Sequence, residues 1–91
     1  MYYVITAKKW FQQSYGNTYH SVLIEKISGH GETYRRETIG YIPFAYGYGE
    51  HWKQTAADIL GIDFDKFSKD IRENREKYVF NVMDVNRKKD L

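Results

Sequence analysis

Pro43-Phe44-Ala45-Tyr46-Gly47-Tyr48-Gly49-Glu50-His51-Trp52-Lys53 splits the chain into two kinds of pattern. Within these eleven residues lie the only proline, two glycines and four aromatic side chains. Ahead of it the chain reads as strands; behind it apolar residues recur at helical spacing. Proline cannot donate to a sheet ladder, so a strand entering this stretch is expected to stop at Pro43. Rings this dense are unfavourable in water, and the glycines let the backbone bend closely. The stretch is therefore either the hinge of the fold or a binding surface.

Ahead of the stretch, residues Tyr2 to Phe11 are aromatic and β-branched enough for a strand. Apolar groups lie on both of its faces, so periodicity does not say which is buried. Ser14-Tyr15-Gly16-Asn17 is turn chemistry. Tyr19 to Ile27 forms a second strand around Val22-Leu23-Ile24. Gly29-His30-Gly31 turns again, with His30 at an exposed tip, and Thr33 to Ile42 is a third strand.

Behind the stretch, Trp52, Thr55, Ala56, Ile59 and Leu60 share one helix face, and Gly61 stops that helix. Asp63 has the character of an N-cap. A second helix from about Phe64 to Arg75 turns Phe64, Phe67, Ser68 and Ile71 one way. Its other side carries opposite charges four residues apart, Lys66–Asp70 among them, which read as a solvated face. Tyr78 to Val85 is a last strand, and the polar tail 86–91 is expected to fray. The order β-β-β-α-α-β predicts an α+β, two-layer domain over 1–91. A three- to four-stranded antiparallel sheet packs against two helices, with the edge taken by the fourth strand left open.

Composition narrows the function. The chain has no cysteine, so neither disulfides nor thiolate metal sites staple it. Nine Tyr, five Phe and two Trp supply the apolar bulk instead. A net charge of +2 is far from the basic field of a strong duplex-DNA binder. No run reaches the length of a membrane span and no signal peptide is evident, so the expected location is cytoplasmic.

Gly47 and Gly49 lack phosphate-loop spacing, and Glu50 would oppose an anion there. His20, His30 and His51 have no metal-ligand spacing, and no metal or cofactor is expected. His20 and His51 together are the basis of a nuclease or hydrolase reading, ranked last. Basic and aromatic residues in the first half, Lys8, Lys9, Trp10, Tyr34, Arg35 and Arg36, support a nucleic-acid-binding reading, ranked second. Lys8 and Lys9 alternate across a strand, so both cannot join one patch.

Trp10-Phe11 followed by Gly16-Asn17-Thr18-Tyr19-His20-Ser21-Val22, and Tyr46-Gly47-Tyr48-Gly49 followed by Trp52 and Gln54-Thr55-Ala56, resemble short open reading frames of phages, prophages and related mobile elements. The resemblance covers about residues 10–60. It implies a small accessory protein acting inside a host cell, and brings no activity or catalytic residue with it. The reading ranked first is a non-catalytic module that binds a host protein, with Tyr46, Tyr48 and His51 in the aromatic loop as its contact residues. A homodimer, through an exposed edge strand or through the aromatic patch, is a further expectation.

Overall fold

A computed structural model describes residues 1–29 and 31–91; the hairpin-tip position expected for His30 lies outside the described residues. Four strands form one sheet: β1 (Tyr2–Gln12), β2 (Asn17–Ser28), β3 (Arg35–Tyr46) and β4 (Tyr78–Val85). Between β3 and β4 lie α1 (Trp52–Leu60) and α2 (Phe64–Glu73). The α+β class and the order β-β-β-α-α-β stand as the pattern predicted. Across the sheet the strands run β3-β2-β1-β4.

β1, β2 and β3 are antiparallel neighbours, joined by short turns. β4 takes the β1 edge and runs parallel to it, from Tyr3 opposite Tyr78 to Trp10 opposite Val85. The sheet is therefore mixed rather than antiparallel throughout. The helices explain the direction. They carry the chain from the end of β3 back to the end where β1 begins, and there Leu60 and Ile62 share a cleft with Tyr3 and Tyr78. A strand leaving that end for the free side of β1 can only run alongside it.

β3 does not stop at Pro43. It continues to Tyr46, beyond the expected end at Ile42. Proline survives there because β3 is an edge strand and its register with β2 slips between His20 and Val22, where Pro43 and Phe44 fall opposite Ser21. A second slip, between Ile24 and Glu25, leaves Ile39 as the extra residue.

The core lies between the helices and one sheet face. Ile5, Ala7, Val22 and Ile24 supply the sheet side; Trp52, Ala56, Ala57 and Phe67 supply the helix side. Gly40 opposes Ile24 under α1, and a Cβ there would lie 2.5 Å from Cγ2 of Ile59. The missing side chain is what lets α1 settle onto β3. α1 ends in the expected way: Gly61 is left-handed at φ 70°, and the N–H of Ile62 reaches back to the carbonyl of Ala57. Asp63 caps α2, its Oδ1 accepting from the N–H groups of Asp65 at 2.9 Å and Lys66 at 3.4 Å.

Of the α2 face expected to be buried, Phe67 is fully so and Phe64 is exposed. Asp70 accepts hydrogen bonds from the hydroxyl of Tyr78, from Lys77 Nζ at 3.0 Å and from Asn74 Nδ2 at 2.6 Å, where a pair with Lys66 was expected. These donors, Tyr78 first, hold the Asp70 carboxyl below its ordinary range. Burial, then the carboxylate itself, pushes the Tyr78 phenol up. The segment 86–91 contains a 3-10 turn, Lys88–Asp90, which places Nζ of Lys88 4.9 Å from the centre of the Phe44 ring. No helix among the described residues is long and apolar enough to cross a membrane.

Candidate interaction surface

At one end of the sheet, β1 finishes, β2 starts and β3 finishes. Trp10 opposes Tyr19, and Tyr19 opposes Tyr46, so these three share the face not covered by helices. Phe44 lies two residues before Tyr46 and joins them. Tyr19 is the middle of a row: its ring stacks on Phe44 at 4.6 Å and 17°, and on Trp10 at 5.8 Å and 27°. Tyr46 meets Tyr19 edge-on at 5.6 Å. Strand side chains stand away from the sheet plane, so rings stacked side by side in this way use their faces on each other. Tyr19, in the middle, therefore presents its edge outward, while Trp10 and Phe44 each give one face to it. Phe44, which could have been a core residue, sits at 44% exposure because the chain slip at Pro43 points it outward.

The loop after β3 continues the surface. Tyr46 is 60% exposed and Tyr48 74%. Between them Gly47 has φ 149°, and a Cβ on it would come within 2.5 Å of the His51 ring. Its N–H donates to the carbonyl of Thr18 at 3.0 Å.

From below, the loop is held by His20. This side chain leaves β2 on the covered face and is only 1% exposed. Its Nδ1 lies 3.2 Å from the carbonyl of Gly47, and its Nε2 lies 2.6 Å from the hydroxyl of Thr55 on α1. A carbonyl only accepts, so Nδ1 carries the proton, and Nε2 accepts from Thr55. Burial lowers the pKa of His20 and the neighbouring His51 lowers it further, against the opposing pull of the Gly47 carbonyl. The neutral ring is thus a fixed bracket between β2, the loop and α1. His51 is exposed, and its ring centre lies 5.8 Å from that of His20. The pair does meet in space, as the nuclease reading required. Yet His20 has both nitrogens engaged and almost no access to solvent.

The residues grouped for nucleic acid are not brought together. Lys8 lies on the open face, opposite Ser21. Lys9 points to the other face, where its Nζ is 4.0 Å from Asp84. Trp10 joins the ring row. Tyr34, Arg35 and Arg36 sit at the opposite end of the sheet: Arg36 opposes Ile27, six positions along β2 from Ser21. At strand rise this is about 20 Å from Lys8. Arg36 is also spent locally, since its Nε and terminal nitrogen bind the two oxygens of Glu25 at 2.5 and 2.7 Å. That fork raises the pKa of Arg36 and lowers that of Glu25.

Sequence reasoning did not find the bracket of His20, Gly47 and Thr55, because its members lie far apart in the chain. Nor did it find a groove of about 670 Å³ beside β4. It is lined by apolar Trp52, Ile71, Tyr78 and Phe80 and by both signs of charge, Glu50 and Glu76 with Lys53 and Arg75. The indole N–H of Trp52 is buried there without a hydrogen-bond partner among the described residues. Among the described residues no three His, Cys, Asp or Glu side chains converge as a metal site would require. Compared with protein-family models, curated proteins and solved structures, the chain matches none.

Proposed function

We propose that this chain is a small, non-catalytic binding module that docks a protein through the aromatic end of its open sheet face. The observation that carries the reading is the exposure of Tyr46 and Tyr48 on a loop whose middle residue, Gly47, is held from both sides. Large exposed rings on a pre-ordered backbone lose little freedom on binding, the property that makes tyrosine a frequent anchor at interfaces. His51 borders the two tyrosines and adds a polar edge.

The same geometry favours protein over nucleic acid. Base stacking needs open ring faces beside cations. Here both faces of Tyr19 are covered by Trp10 and Phe44, Arg36 is tied to Glu25 and Lys9 points to the opposite side, so only Lys8 and Lys88 lie near the row. The resemblance to short phage and mobile-element frames supports a host protein as the partner, met in the cytoplasm.

The test is capture from a host lysate on immobilised protein, with and without nuclease. A bound protein should persist after nuclease and fall at least about tenfold in the Tyr46→Ala/Tyr48→Ala variant. Capture that vanishes with nuclease, or that ignores the loss of both tyrosines, overturns the reading.

A further inference from the structure

The two edges of the sheet differ in how they are protected. β3 carries Pro43 and two register slips, devices that discourage pairing with another strand. β4 pairs with β1 without a slip from Tyr78 to Val85 and contains no proline. Its Val79, Val82 and Met83 are each 42–43% exposed. The groove lined by Trp52, Ile71, Tyr78 and Phe80 opens beside this edge.

We propose that β4 is the seam of a homodimer, in which two copies pair antiparallel about a twofold axis at Asn81 and merge their sheets. The occupant is a second copy because the strand is complementary to itself. Opposed residues in an antiparallel pair share a face, so a twofold axis must pass through a residue opposite its own copy. Centred on Asn81, the register sets Phe80 against Val82, Val79 against Met83 and Tyr78 against Asp84. Centred on Val82 it would set Phe80 against the Asp84 carboxylate. Centred on Phe80 it would set Val79 against Asn81 and leave Met83 with no partner inside the strand.

Of these three registers, the one at Asn81 pairs apolar with apolar on both faces, Phe80 with Val82 on one and Val79 with Met83 on the other. The Asp84 side chain is 88% exposed, with Lys9 at 4.0 Å, and would face Tyr78 of the other copy. Val82 of each copy, set opposite Phe80, would cover the mouth of the groove. The Asn81 amides, each both donor and acceptor, can bond across the axis. A seam of one eight-residue strand is small beside the roughly 1,200–2,000 Å² of a stable interface, so association is expected to be weak, at roughly tens of micromolar. A twofold axis perpendicular to the sheet turns both open faces the same way, so each dimer would display two copies of the Tyr46–Tyr48 surface.

A chain without cysteine makes the test direct. Asn81→Cys places one thiol opposite its symmetry mate, at roughly the 4.5–5.5 Å Cβ separation of facing residues. At about 100 µM under mild oxidation, this variant should form a covalent dimer at least about tenfold faster than Thr38→Cys on β3. Adding Val82→Lys, an exposed position, should slow the linkage at least about tenfold with the circular dichroism unchanged. Unmodified protein should sediment as a dimer at the same concentration. A monomer there overturns the proposal, as does equal linkage through Thr38→Cys, which would assign the seam to β3. A monomer whose β4 amides respond to an added extended peptide overturns it too, in favour of a different occupant.

Discussion

Replacing Gly40 by alanine tests how α1 is seated. The added Cβ would sit 2.5 Å from Cγ2 and 3.7 Å from Cβ of Ile59. Carbon atoms in comfortable contact are about 3.5–4.0 Å apart, so the first distance is short by roughly an ångström. The methyl cannot simply swing away, because a β-branched side chain in a helix is almost confined to one χ1 rotamer. Either Ile59 leaves its rotamer, at about 0.5–1.5 kcal/mol, or α1 lifts from β3 and loosens the packing around Ile24. Overpacking of this kind costs about 1–3 kcal/mol. Gly40 is not among the positive-φ glycines, so alanine also restricts the unfolded chain and returns about 0.4–1 kcal/mol. The net expectation is a loss of about 0.5–2 kcal/mol, read as a lower urea midpoint at unchanged slope in the fluorescence of Trp10 and Trp52. Ile59→Ala alone should also destabilise. In the double variant the new Cβ fills space the isoleucine has vacated, so the two losses should sum to about 1 kcal/mol more than the double variant shows. Gly40→Ala as stable as the parent, or a double variant that is simply additive, would refute the account.

Two further outcomes follow from the polar contacts. The lowered pKa of His20 means that the unfolded chain, titrating near 6.5, takes up a proton that the folded chain refuses. This contribution to stability is complete above about pH 6.5 and is lost as pH falls towards the folded value. The urea midpoint should therefore decline from pH 8 to pH 5, and a His20→Gln variant that keeps the whole decline would count against it. Tyr78→Phe removes one donor to Asp70 and should cost about 1 kcal/mol at pH 7. Because Asp70 is depressed in the folded state, its contribution exists above its unfolded pKa, near 3.8, and fades as pH falls through the folded value. The difference between Tyr78→Phe and the parent should thus shrink at low pH, and a constant difference would show that the hydroxyl acts independently of the carboxylate.

Where folding information is local, the sequence was a sound guide. Gly61 and Asp63 end and restart helices through their own backbone conformation and side chain, and both perform as read. Trp52, Thr55 and Ala56 fall on one helix face and are buried on it. Alternation failed in β3 because each slip changes which residues face outward beyond it, and no composition rule locates a slip. The direction of β4 depends on where two helices return the chain, which is a property of their packing. His20 looked ordinary because its partners lie 27 and 35 residues away. The sequence left the exposure of Tyr46 and Tyr48 open, since neither fits the helical period that claims Trp52, and the structure exposes both.

The ladder between β1 and β4 also has a consequence in time. Turns of a few residues bring β1, β2 and β3 together, so that meander can close early, on the fast timescale of hairpins. Tyr3 must wait for Tyr78, across nearly the whole chain, and contacts of that span slow folding. Until they form, β1 is itself an open edge bearing Ile5 and Ala7 without their cover. The slow step should then be the arrival of β4, and changes in β4 should alter how long the half-built sheet persists more than how quickly the meander forms.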